Sequence, residues 1–176
     1  MKRELRFPVA FTGLQNLAVT LAKFRSKWLV SIVDPDTVFE ISDCGAKRLH
    51  IEHHDITAAI DGYIHPEESH LRKLIEFGAR RHENDRFVVH CQMGYSRSAA
   101  VALIMLAQSN PGHEIDVAMM LRKGAPHCHP NRLMIEIADR LLRCEGRLIA
   151  ALNAMGEPTV LGHLRAYYAF SSRETP

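Results

Sequence analysis

Short strand-like segments alternate with longer helix-like ones along the 176 residues, which predicts an α/β fold: a mostly parallel central sheet flanked by helices on both faces. Two further observations support it. The segment 87–90 (Phe-Val-Val-His) is a β-branched and aromatic run of the kind buried in a sheet, and a glycine-containing loop separates it from the helix-like run 96–108. A chain of this length with 47% hydrophobic and 24% charged residues suffices for one well-packed core. One domain is expected over 1–176, with its core at about 7–153 and a C-terminal helical extension over 154–176.

In chain order, strands are expected at 9–11, 28–33, 48–52 and 87–90, and helices at 14–24, 35–41, 67–81, 96–108 and 115–123. Glu67 and Glu68 follow Pro66 and suit the first turn of their helix, where its dipole favours negative charge. Ser96 suits the cap of the next. A long helix is expected from Asn131 to about Asn153, because Leu133, Ile137, Leu141, Cys144, Leu148 and Leu152 recur at helical spacing as a core-facing stripe. A last helical piece, 159–170, carries Tyr167, Tyr168 and Phe170; these aromatics either pack back on the domain, the preferred reading, or form a dimer contact.

The most informative run is Val88-Val89-His90-Cys91-Gln92-Met93-Gly94-Tyr95-Ser96-Arg97-Ser98. It joins a strand end to a helix N-terminus, where unpaired amides and the positive end of the helix dipole form an anion site. Gly94 allows a tight bend that turns the amides of Gln92, Met93, Gly94, Tyr95 and Ser96 inward as a nest. Arg97 adds a planar fork able to grip two phosphate oxygens. The same field stabilises Cys91 as a thiolate, the nucleophilic form of cysteine. Attack on phosphorus would form a cysteinyl-phosphate, with the loop amides and Arg97 stabilising the equatorial oxygens. Ser98 is placed to donate a hydrogen bond to the departing thiolate in the second step. His90 is expected to fix the loop rather than act as a base, since the nucleophile is already ionised.

This run resembles the HCxxGxxR[S/T] signature of the cysteine-dependent protein tyrosine and dual-specificity phosphatases, and its HCxxGxSRS form is similar to the dual-specificity branch. The resemblance extends in element order from about Phe7 to about Cys144. It implies a phosphatase-type fold, a general-acid aspartate some thirty or more residues before the nucleophile, and no metal or other cofactor. Asp55 and Asp61 are the two candidates. Asp55, at the exit of the strand 48–52, is preferred, and Asp61 is the alternative. An acid is needed because the leaving oxygen takes up a proton as the P–O bond breaks; once ionised, the same group activates water. Each has a second reading: Asp55 as the cap of a short helix over 56–60, and Asp61 with Gly62 as a turn. Pro130-Asn131 resembles the Pro-Asn step whose Asn braces the phosphate loop in dual-specificity phosphatases. Met93 departs from the family, which has a small residue there, and Tyr95 stands at a variable position able to touch substrate.

The net charge of +2, with Lys and Arg scattered, points to no nucleic-acid partner. No run approaches the ~18 apolar residues of a membrane span, and Met1–Phe7 lacks a secretory stretch, so a cytoplasmic protein is expected. Cys44, Cys91, Cys128 and Cys144 have no metal-type or disulfide spacing. His127-Cys128-His129 lacks a second ligand cluster, and alternation would send His53 and His54 to opposite faces, so no metal is expected. Oxidation of Cys91 is foreseeable, with Cys44 or Cys128 as possible resolving partners.

The expected activity is metal-independent phosphomonoester hydrolysis on a phosphorylated protein, phosphotyrosine foremost. The alternatives are a phosphoinositide, nucleotide or RNA 5′ phosphate as substrate, or phosphate binding without turnover. A rhodanese-like sulfurtransferase ranks last, because its loop needs neither the Arg nor the preceding His.

Overall fold

The computed structural model describes residues 8–41, 45–82, 85–160 and 168–170. Cys44, raised above as a resolving partner, lies outside them. A five-stranded sheet runs in the order β3-β2-β4-β1-β5. Strands β1 (Val9–Gly13), β2 (Trp28–Val33), β3 (Lys47–Glu52) and β4 (Phe87–Cys91) are parallel, and β5 (Tyr168–Phe170) pairs antiparallel with β1. The α/β architecture expected from the sequence is therefore present.

The period-two alternation of the strands divides the core between the two faces. Ala10, Leu29 and Val88 pack on Leu17, Leu21 and Phe24 of α1 (Leu17–Phe24), which follows a 3-10 turn over Leu14–Asn16. Their neighbours Val9, Phe11, Trp28, Val30, Ile32, Phe87 and Val89 face the larger core. There lie α2 (Glu68–Ala79), α3 (Arg97–Ser109), α4 (Glu114–Gly124), α5 (Arg132–Leu141) and α6 (Arg147–Ala154). Residues 97–107 of α3 are all buried, as expected of a helix apolar around its circumference and enclosed by others.

Three expectations are corrected. No helix forms over 35–41: Pro35 and Asp36 occupy the centre of a turn closed by Thr37 N donating to Asp34 O at 3.1 Å, with Asp36 at φ +68°. The long helix over 131–153 breaks into α5 and α6. Buried Asp139 causes the corner, its carboxylate accepting from Gly146 N (2.8 Å) and Leu148 N (2.9 Å) while its carbonyl accepts from Cys144 N (2.9 Å). Arg143, Glu145 and Gly146 adopt positive φ there. The helix expected over 159–170 is replaced, where the chain is described, by the strand Tyr168–Phe170, whose rings of Tyr168 and Phe170 stack on Phe11 at 5.5 and 5.8 Å.

Because four strands are parallel, their carboxyl ends share one edge of the sheet. Gly13, Asp34, His53 and Cys91 therefore stand at or just beyond four neighbouring strand ends, the position where open α/β sheets bind ligands.

Candidate active site

Cys91 ends β4, buried, with its Sγ accepting from Gly94 N at 3.2 Å and lying 3.2 Å from Ser98 Oγ. The bend between them depends on Gly94, at φ +85°: a Cβ added there would lie 2.2 Å from Gly13 N. Leu14 N donates to Gln92 O at 3.1 Å, so the exit of β1 presses the loop from one side. From the other side His129 N donates to Tyr95 O (2.8 Å) and Asn131 N to Ser96 O (3.4 Å). The segment 127–131 thus acts on the loop through its backbone, while the His127 ring packs at a tilt against Tyr168, centroids 4.4 Å apart, and burial pushes the Cys128 thiol up to about 11.

Ser96 occupies the N-cap of α3 without capping it by its side chain. Its hydroxyl instead donates to Asp55 Oδ1 at 2.8 Å, which corrects the capping role expected for it. The Ser96 oxygen is thereby kept off the first amides of α3, the end of the helix an anion would approach.

Arg97 is 3% exposed, and its Nη1 donates to Asp34 Oδ1 (2.7 Å) and to the His53 carbonyl (2.6 Å). Among the described residues its Nε has no hydrogen-bond partner, and it forms an ion pair with Asp55 Oδ2 at 3.9 Å. Asp34 is not among the site residues that the sequence singles out. A carboxylate immediately after a strand that ends in Ser-Ile-Val was the available signal, because such positions line the ligand edge of a parallel sheet.

Asp55 lies just past β3. Its Oδ1 accepts from both Ser96 Oγ and Asn131 Nδ2, each at 2.8 Å, and no helix forms over 56–60 for it to cap. Asn131 also caps α5, accepting from Met134 N at 3.1 Å, and donates to Ile56 O at 3.2 Å. Asp61 sits in an exposed turn closed by Tyr63 N donating to Ile60 O at 3.0 Å. Glu67 and His70 form the reciprocal cap of α2, and Glu68 pairs with Arg72, so both glutamates are engaged in their helix.

His90 is fully buried with Nε2 2.8 Å from Ser31 Oγ, which ties β4 to β2 beneath the loop. Burial holds its pKa down at about 4, and that of fully buried His53, beside cationic Arg97, likewise at about 4. Both rings are neutral at physiological pH, so neither supplies a positive charge to Cys91. The side chains of Met93 and Tyr95 are exposed at the tip of the loop, and the larger Met93 is accommodated by projecting outward while its backbone stays against Gly13.

No protein-family model matches the sequence, and no curated protein matches it. The fold does match solved structures. Tk-PTP in its active form is 21% identical with a TM-score of 0.57, covering 81% of this chain and 99% of that one. PTPMT1 in complex with PI(5)P is 17% identical with a TM-score of 0.57, covering 75% and 86%. The Yvh1 phosphatase domain from Chaetomium thermophilum is 21% identical with a TM-score of 0.55, covering 80% and 92%. The chain thus has the fold of the protein tyrosine and dual-specificity phosphatases.

Proposed function

We propose that the chain is a metal-independent phosphomonoesterase working through a cysteinyl-phosphate at Cys91, with phosphorylated protein, phosphotyrosine foremost, as its substrate. The observation that carries this reading is the constellation around one sulfur: Cys91 Sγ within 3.2 Å of Gly94 N and Ser98 Oγ, at the N-terminus of the helix that bears Arg97.

In the first step the Cys91 thiolate attacks phosphorus as the P–O bond to the leaving group breaks, and Asp55 delivers a proton to the departing oxygen. Inward amides and Arg97 stabilise the charge on the equatorial oxygens. In the second step ionised Asp55 takes a proton from water as that water attacks the phosphocysteine. Phosphate leaves, and Ser98 donates a hydrogen bond to the released thiolate. Both Asp55 donors, Ser96 and Asn131, bind Oδ1, which leaves Oδ2 to carry the transferred proton.

A phosphoinositide substrate is the second reading, favoured by the phosphoinositide complex of the structural neighbour PTPMT1. Against it, the segments 34–41, 55–66 and 92–96 contain no lysine or arginine, so a second phosphate would meet no side-chain cation on them. The exposed Ile60, Tyr63, Ile64, Met93 and Tyr95 suit an apolar or aromatic ester instead. Among the described residues no helix is long and apolar enough to cross a membrane.

The test is hydrolysis of p-nitrophenyl phosphate in excess EDTA under reducing conditions, wild type against Cys91→Ser. Turnover that the substitution abolishes supports the reading, and a panel of phosphotyrosine peptide, phosphoserine peptide and phosphoinositide then orders the substrates. A wild type that binds vanadate without turning over ester would make the chain a phosphate-binding module.

A further inference from the structure

The face of the sheet that carries α1 holds an open groove of about 670 Å³, between α1 and residues 40–41 of the segment that follows β2. Leu14, whose N donates to Gln92 O of the phosphate loop at 3.1 Å, stands at one end, and Arg25 and Lys27 stand at the other. Three- and four-residue spacing along α1 makes one wall: buried Leu17 and Leu21 form the floor, and exposed Ala18 and Ala22 are too short to fill the space above it. Ile41 closes the opposite wall. The lining holds two cations, Arg25 and Lys27, against one carboxylate, Glu40. Among the described residues no carboxylate forms an ion pair with either cation. From Leu14 to Arg25 the 3-10 turn and α1 advance about 18 Å, the reach of about five or six extended residues.

We propose that this groove docks the segment flanking the phosphorylated residue of a protein substrate: an apolar stretch along α1, followed by acidic residues on Arg25 and Lys27. The inference rests on the phosphatase reading above and adds a sequence preference to it. Continuity with the phosphate loop at Leu14 makes the flanking chain the natural occupant. Charge sets its pattern, because both cations lie at the end remote from that loop. An acidic residue about five or six positions from the phosphorylated one is therefore favoured, and a basic one there is repelled.

The experiment uses two phosphotyrosine peptides with a Leu-Ala-Leu-Ala spacer and a Glu pair at the fifth and sixth positions, on the amino side in one and the carboxyl side in the other. Lys-tailed versions and p-nitrophenyl phosphate are the controls. Wild type is compared with the charge reversal Arg25→Glu/Lys27→Glu and with Ala18→Gln/Ala22→Gln, which fills the groove. One Glu-tailed peptide is expected to show a KM about fivefold or more below its Lys-tailed counterpart, with kcat/KM for p-nitrophenyl phosphate within about twofold of wild type in both variants. The filled variant should lose the preference, and the reversed variant should prefer the Lys tail, which a misfolded protein cannot do. Equal KM for Glu and Lys tails in both orientations overturns the proposal, and so does a Glu preference that survives charge reversal. Self-association in sedimentation that Ala18→Gln/Ala22→Gln abolishes also overturns it, giving the groove to a second copy. Phosphopeptide affinity for Cys91→Ser, read by fluorescence anisotropy, repeats the comparison without turnover. A wild type that hydrolyses no ester, while the tail preference appears in that affinity, defeats the phosphatase reading alone. No phosphopeptide binding at all defeats both.

Discussion

Asn131 Nδ2 donates to Asp55 Oδ1 at 2.8 Å across 76 positions of the chain. The same side chain caps α5 through its Oδ1, so one buried residue joins the start of a core helix to the loop carrying the proposed acid.

Those two duties can be separated. Asn131→Ala is expected to cost about 1 kcal/mol of stability from the lost cap and to lower kcat by about tenfold as Asp55 loses one of its two donors. Asn131→Ser keeps a capping hydroxyl without an amide reaching Asp55, so urea unfolding should recover while kcat on p-nitrophenyl phosphate should not. Recovery of both would show that the tether contributes nothing to turnover.

Proton delivery distinguishes the two aspartates. Asp55→Asn is expected to lower kcat by ~10²–10⁴ on alkyl phosphates, whose leaving oxygens need a proton, and by less on p-nitrophenyl phosphate. It should also remove the basic limb of a bell-shaped pH profile. Asp61→Asn, in its exposed turn, should leave rate and profile at wild type; loss of the limb there would transfer the acid's role to Asp61.

The buried histidines predict an acid-labile fold. His53 and His90 ionise at about 4 in the folded chain against an ordinary 6.5. Below 6.5 the unfolded chain binds protons that the folded chain refuses, so stability is full above that pH and declines as pH falls toward 4. Each ring costs on the order of 3 kcal/mol of stability by the time pH has fallen to about 4. Urea midpoints measured at pH 7.5, 6 and 5 should fall in that order, and His90→Gln should flatten the decline.

At the α5–α6 corner, Asp139→Ala leaves the amides of Gly146 and Leu148 without their acceptor, an expected loss of about 2–4 kcal/mol. Asp139→Asn retains one acceptor and should lose about half as much. KM for p-nitrophenyl phosphate should not change in either variant, because Asp139 touches no residue of the phosphate loop; a raised KM would show that the corner shapes the site.

The sequence announced what is local. Residues 28–33 and 87–90 declared themselves by β-branched content, and the Cys91–Arg97 spacing is set within one strand-loop-helix unit. What stayed hidden depends on partners far along the chain. The stripe from Leu133 to Leu152 has unbroken helical spacing, and only the buried Asp139, which takes up the amides of Gly146 and Leu148, turns it into a corner. Tyr168–Phe170 is a strand because the free edge of β1 receives it, a preference no three-residue segment carries. The Ser96 hydroxyl had a local use as a cap and was captured by Asp55 instead. Asp34 stands 63 positions from Arg97, so its pairing appears only when β2 and β4 lie side by side.

Gly13 and Gly94 meet where the exit of β1 presses on the phosphate loop, with no room for a methyl group at either: added Cβ atoms would lie 2.9 Å from Met93 O and 2.2 Å from Gly13 N. The loop is consequently not a portable cassette. Grafting Cys91 through Arg97 onto another strand-helix junction would transfer the chemistry without the mould that shapes it. Any redesign of this loop has to move two strand ends as a unit, and the first strand of the sheet is as much a part of the loop's specification as the loop's own letters.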